Sequence, residues 1–420
     1  MRKRLGKYRW TLFLAAIGPG LISANADNDA GGITTYSLAG AQFGYSLIWV
    51  LILVTISLAV TQEMGMRMGA VTGKGFGGLI REKFGAKWSA FAIFVMLIAN
   101  LGTTTAEFAG ISASLQMFGI SKYISIPVAA VLVLYLIARF DFRRVQKVFL
   151  VSSALYLTYV VSGVMAHPDW GTAVRSVVHP SIQLNTNYLL TLVAVIGTTI
   201  TPWGQFFIQS YIVDKRLDTD DLPYARADVL FGGFFTNFIA FFIIIACAAT
   251  IWKSTGGHVN PSTFTATQAA EALRPLAGEF ARNLFAFGLF NASLLGAAIL
   301  PLTSSYATCE TFGWEAGIDK KTHEAPIFYG LFVFFIALSS IIVLVTGLPS
   351  ILVMFMPQVL NGMLLPIILI FVLKITNDVR VMGRYTNSRA YNVIAFATVA
   401  GLILMTILLL ASPLITRFGA

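Results

Sequence analysis

Apolar residues run through this chain in eleven stretches, near 11–39, 45–66, 88–118, 124–140, 145–166, 188–212, 227–252, 282–312, 326–346, 350–374 and 389–413. About 20 apolar residues in a helix cross the hydrocarbon of a bilayer, so each stretch predicts a membrane-spanning helix. Two of them are interrupted. The first carries Gly18-Pro-Gly-Leu-Ile-Ser-Ala-Asn-Ala-Asp-Asn-Asp-Ala-Gly-Gly32, with Asp27 and Asp29 beside Gly31 and Gly32. Charge at membrane depth is costly, which marks these acids as a functional site. The glycines predict a break that turns freed carbonyls toward them. The sixth stretch reads Val195-Ile-Gly-Thr-Thr-Ile-Thr-Pro-Trp-Gly-Gln205, with Gly197, Pro202 and Gly204 at its middle. Its hydroxyls, Thr198, Thr199 and Thr201, can take up backbone groups that the proline frees. Alone, this second interruption reads equally well as a proline kink.

Composition agrees with the pattern. Of 420 residues, 57% are hydrophobic and 11% charged, against roughly 25% charged in soluble proteins. Mean hydropathy is +0.77. The net charge of +10 then reflects cytoplasmic loops and not nucleic acid. Of the 29 Lys and Arg, all but Lys122, Arg175, Lys253, Arg274, Arg282 and Arg417 fall on one side if the N-terminus is cytoplasmic. This predicts N-terminus in and C-terminus out, in a cell membrane. The first stretch is too long for a cleaved signal. Cys247 and Cys309 lie in apolar segments and imply no disulfide or zinc site. His167, His179, His258 and His323 lie in loops without a second ligand at metal spacing. No soluble domain, cofactor motif or His/Glu cluster at a membrane face suggests an enzyme.

The spacing of the interruptions changes the picture. They fall in spans one and six, each the first of five. Paired interrupted segments in corresponding halves point to the site of an inverted-repeat transporter. The expected organisation is a first repeat at 1–166, an extracellular loop at 167–187, a second repeat at 188–376 and an appended eleventh span at 377–420. Five helices per repeat invert the second unit, in agreement with the charge-based topology. Acids with unwound carbonyls at such a break suit a cation.

At this point the residues resemble the Nramp divalent-metal transporters. The likeness is clearest in Gly18-Pro-Gly, Ala39-Gly-Ala-Gln-Phe-Gly-Tyr-Ser-Leu-Ile-Trp49, Val71-Thr-Gly-Lys74, Ala106-Glu-Phe108, Val195-Ile-Gly197 and Gln358 through Pro366. The resemblance implies an all-α polytopic protein with the LeuT-like five-plus-five fold. The family's Asp-Pro-Gly-Asn falls on Asp29-Ala30-Gly31-Gly32, so the metal-binding acid is kept and the asparagine becomes Gly32. Its Ala-x-x-Met-Pro-His falls on Thr198 through Trp203, so methionine becomes Thr201 and histidine Trp203. A second histidine becomes Ile208, and Asp-x-x-Glu becomes Thr104-Thr-Ala-Glu107. The ninth span has no arginine where the family's proton route has basic partners. These departures resemble the Nramp-related magnesium transporter branch.

That resemblance implies metal contacts from Asp29, Thr201, the space at Gly32, the carbonyls of Ala26 and Thr198, and Gln358, with Asn237 along the cavity. Interhelical hydrogen bonding is the competing role for Asn237 and Gln358. Glu107, Asp27 and Trp203 are further pathway positions. Hard oxygen ligands suit Mg²⁺ and Mn²⁺, whereas a thioether favours softer metals. Mg²⁺ retains water readily, and a site with short side chains leaves room for it. Loss of both histidines and one acid implies uptake without proton coupling. The expected cargo is Mg²⁺, with Mn²⁺, carried by a monomer with no cofactor and no partner beyond the lipid bilayer. The alternatives are a proton-coupled Mn²⁺/Fe²⁺ importer and a LeuT-fold Na⁺/amino-acid transporter.

Overall fold

The computed structural model describes residues 28–139, 153–318 and 320–418. It is all helical there. The principal helices are α1 (Ala30–Phe43), α2 (Ile48–Thr72), α3 (Phe76–Phe84), α4 (Ala86–Gln116), α5 (Lys122–Arg139), α6 (Leu157–Met165), α7 (Trp170–Val178), α8 (Thr186–Thr199), α9 (Pro202–Asp214), α10 (Leu222–Cys247), α11 (Ala281–Phe312), α12 (Pro326–Val345), α13 (Ser350–Thr376) and α14 (Arg389–Phe418). Among the described residues, eight of the expected spans are helices long and apolar enough to cross a membrane, with α8 and α9 together forming one of them. Lys122–Ile137 and Ala154–Met165 are shorter apolar helices, and the first span is described only from Asn28 onward.

Local chemistry explains where the helices begin and end. Asn185 caps α8 by accepting the Tyr188 N–H at 2.8 Å, which satisfies a donor that the first helical turn leaves free. Gly73, at φ 64°, closes α2 in the left-handed conformation that glycine adopts without a Cβ penalty. Beyond α10 the chain continues as a π-turn, Ala248–Trp252. The segment after it folds over the end of α1, where Gln42 Nε2 donates to the Val259 carbonyl at 2.7 Å.

Helix packing uses small residues for close approach, as expected where lipid removes the hydrophobic drive between helices. The central α4 packs against α11 and α13, and α1 lies among α8, α10 and α13. A Cβ at Gly40 would come within 2.5 Å of the Ile244 carbonyl of α10, and one at Gly197 would strike the backbone of Gln358 and Gly362 on α13. On the periphery, α14 exposes Val393, Phe396, Leu404 and Leu410, apolar side chains suited to lipid.

Three expectations need correction. Gly31 and Gly32 are not unwound; they form the first turn of α1, and the helix starts at Ala30 because Asp29 caps it. Arg67, counted above with the loops, is buried on α2 and pairs with Glu63 at 3.1 Å. Arg226 of α10 reaches Glu63 at 2.7 Å, and Arg67 also bonds the Tyr385 carbonyl and Asn387. A buried carboxylate persists only when compensated in this way. The expected loop at 167–187 contains a helix, α7. Cys247 and Cys309 are buried free thiols.

Candidate metal site

Two helix starts supply the ends of the site. Asp29 caps α1, its Oδ1 accepting the Gly32 N–H at 2.6 Å. A carboxylate there also faces the positive end of the helix dipole. Thr201 caps α9 in the same manner, its Oγ1 accepting the Gly204 N–H at 3.1 Å. Pro202 occupies the first helical position, where its missing N–H costs nothing. Ile200 and Thr201 are the extended residues that separate α8 from α9. The break expected in the sixth span is therefore a true interruption and not a kink.

Two continuous helices close on the start of α1. Glu107 of α4 accepts the Ala30 N–H at 3.3 Å, so its carboxyl group lies beside the residue that follows Asp29. Gly296 of α11 makes room for it, since a Cβ there would lie 2.6 Å from Glu107 Cδ. Two buried carboxyl groups at one helix start make a place where a cation is favoured. From α13, Gln358 places its Nε2 against Gly31, where any side chain would collide. Its Oε1 accepts from Asn361 Nδ2 at 3.0 Å, and the same Nδ2 donates to Thr103 Oγ1 at 3.0 Å.

The break in the sixth span is tied to α1. Tyr36 of α1 and Thr199 of α8 share a hydrogen bond of 2.8 Å, and Gly197 abuts the Gln358 carbonyl. Thr198 is buried with its hydroxyl lacking a protein partner among the described residues, as are the Asn28 amide, Glu107 Oε1 and Gln358 Nε2. Unpaired buried polar atoms are rare and call for an explanation; a site for an ion and its water is one. The oxygens of this set are carboxyl, amide and hydroxyl, the hard donors that suit Mg²⁺, Ca²⁺ and Mn²⁺. No group of three or more His, Cys, Asp or Glu side chains placed to hold a metal occurs among the described residues.

The structure thus brings Asp29, Glu107, Gly31 and Gln358 together, with Thr198 and Thr201 at the adjoining break and Gly32 in the capped turn. It does not bring Asn237 into that group. Asn237 of α10 bonds back to the Gly233 carbonyl at 3.0 Å and lines an apolar groove with Ile48, Leu51, Ile52 and Thr55 of α2. Trp203 is buried edge-on to Phe207, with centroids 5.8 Å apart. Ala26 and Asp27 lie outside the described residues. Sequence reasoning assigned no role to Asn361 or to Thr103's hydroxyl as its partner; the available signal was that Asn361 sits three residues after Gln358, on the same helix face.

These features define a broken-helix integral membrane fold with a polar centre, and solved structures share it. A manganese transporter of Eremococcus coleocola, in complex with an aromatic bis-isothiourea compound, superposes with a TM-score of 0.77 at 18% identity, covering 98% of this chain and 89% of that one. Mhp1, a nucleobase-cation-symport-1 family transporter in a closed conformation, matches with a TM-score of 0.56 at 15% identity, over 96% of this chain and 91% of that one. The chain belongs to the Nramp family: the profile described as natural resistance-associated macrophage protein-like matches residues 20–412. A relative from Latilactobacillus sakei, the divalent metal cation transporter MntH, is 27% identical over 293 residues, covering 67% of this chain and 64% of that protein's own length.

Proposed function

We propose that this protein moves divalent metal cations across the membrane, with Mg²⁺ and Mn²⁺ as cargo, by alternating access and without proton coupling. The observation that carries the reading is the two buried carboxyl groups at the start of α1, Asp29 on the Gly32 N–H and Glu107 on the Ala30 N–H, beside Gln358 and a buried unpartnered hydroxyl at Thr198. Divalent transport accords with the family and with the names of the relatives. Magnesium is favoured by the chemistry at two positions: Thr201 stands where the resemblance places a soft methionine, and Gly32 where it places an asparagine. A thioether at Thr201's position would favour softer metals. Without it, the donors are hard oxygens, and the glycine leaves space for water that Mg²⁺ is slow to shed.

Alternating access would move the repeats 1–166 and 188–376 against each other around this centre. The absence of coupling is supported by two side chains: Trp203 and Ile208 stand where the resemblance places histidines, and neither titrates near neutral pH. The test is isothermal titration with Mg²⁺ and with Mn²⁺ on the purified protein and on Asp29→Ala, paired with uptake into proteoliposomes. Saturable binding of both ions in the wild type and at least a tenfold loss in the variant are expected. Unaltered binding in Asp29→Ala removes the site.

A further inference from the structure

In this structure Gln358 presents the wrong end of its amide to a cation. Its Oε1 is held by Asn361 Nδ2 at 3.0 Å, which leaves Nε2, a donor, against Gly31 at the start of α1. Asn361 is held in turn. Its Nδ2 donates to Thr103 Oγ1 at 3.0 Å, and Thr103 gives its own proton to the Ala99 carbonyl at 3.1 Å, so the threonine oxygen can only accept. Thr103, Gln358 and Asn361 are all fully buried. The free ends of the chain, Gln358 Nε2 and Asn361 Oδ1, have no protein partner among the described residues.

We propose that Thr103 and Asn361 are positioning residues which hold Gln358 turned away from the ion and which reverse together when a divalent cation arrives. The reversal is explicit in its hydrogen bonds. In the resting arrangement Thr103 donates to Ala99, and Asn361 donates both to Thr103 and to Gln358. In the reversed arrangement both amides have turned over. Asn361 Oδ1 then accepts from Thr103 and from Gln358 Nε2, and Gln358 Oε1 faces the start of α1. The resting arrangement has three hydrogen bonds and the reversed one two, with the cation's contact to Oε1 replacing the third. The terminal amide torsions are soft, so the relay is bistable, with the resting state favoured by one hydrogen bond. One such bond corresponds to about fivefold in an equilibrium. Asn361 and Thr103 thereby set a threshold on affinity: an ion must gain enough from Oε1 to turn the relay.

This inference rests on the metal site proposed above, and its test separates the two. Thr103→Val removes the hydroxyl with little change of shape and leaves each arrangement with one hydrogen bond, so the resting bias disappears. The competent fraction rises from about one sixth to about one half, so the dissociation constant for Mg²⁺ and the KM for uptake should both fall about threefold in titration and proteoliposomes, and Thr103→Ser should restore wild-type values. Asn361→Leu, which also frees Gln358, should shift affinity in the same direction and provides the reading should Thr103→Val fold poorly. A variant that merely loosened the fold would weaken binding, and Thr103→Ser would share little of the effect. Unchanged or weakened Mg²⁺ binding in both Thr103→Val and Asn361→Leu, with Asp29→Ala still abolishing it, overturns the relay alone. Unaltered binding in Asp29→Ala overturns the site and the relay with it.

Discussion

At the scale of single residues, Thr201 carries two functions that substitution can separate. Its hydroxyl caps α9 through the Gly204 N–H, and it stands where a thioether would make the site softer. Thr201→Met removes a cap, at a cost of about 1 kcal/mol in stability, and restores a soft donor. The expected outcome is a roughly tenfold shift in the ratio of Cd²⁺ to Mg²⁺ affinity toward Cd²⁺, read by competition in the uptake assay; an unchanged ratio would mean that Thr201 does not face the ion. The places of Asp29 and Thr201 at helix starts were legible from the sequence because short motifs fix their positions relative to a break. Asn361's partnership with Thr103 was not, because it spans 258 residues and exists only once α13 packs on α4. Asn237 was misplaced for a related reason. Polarity in an apolar span shows that a side chain needs a partner, and here the partner is its own helix, at Gly233.

At the scale of elements, glycines set how closely helices approach. Gly197 of α8 fits against the backbone of Gln358 and Gly362, whereas Gly401 of α14 has open space around it. Gly197→Ala should therefore destabilise the protein by about 1–3 kcal/mol through overpacking and displace the very residue that carries Gln358. Gly401→Ala should be neutral or slightly stabilising, since alanine is the better helix former by about 1 kcal/mol. Thermal midpoints of the two variants in one detergent give the comparison, and equal midpoints would refute the packing argument. The spans themselves were readable from hydropathy, since length and apolarity suffice to define them. The exact start of α1 was not. Glycine propensity placed the break at Gly31 and Gly32, but the Asp29 cap outweighs it and holds both in helix. Likewise the Lys and Arg tally placed Arg67 in a loop, whereas its ion pair with Glu63 keeps it on α2.

At the scale of the whole molecule, the question is what drives net movement of an ion. A proton-coupled carrier needs titratable groups that pass protons across the membrane. Here Asp29 and Glu107 both lie at the start of α1, while the helix after the break in the sixth span carries Trp203 and Ile208. A proton accepted at the pair has no imidazole to receive it on that helix. The membrane potential needs no such chain. A dication moving through 100 mV gains about 4.6 kcal/mol, twice the single-charge value, which is on the order of a thousandfold accumulation. The protein reconstituted in liposomes should therefore take up Mg²⁺ and Mn²⁺ in proportion to an imposed inside-negative potassium diffusion potential. At fixed potential, uptake should not change when the outside is acidified by one pH unit, and a lumenal pH dye should stay constant while the metal enters. Faster uptake under the proton gradient, or lumenal acidification that tracks metal influx, would establish coupling and would require a proton path other than the sixth-helix positions.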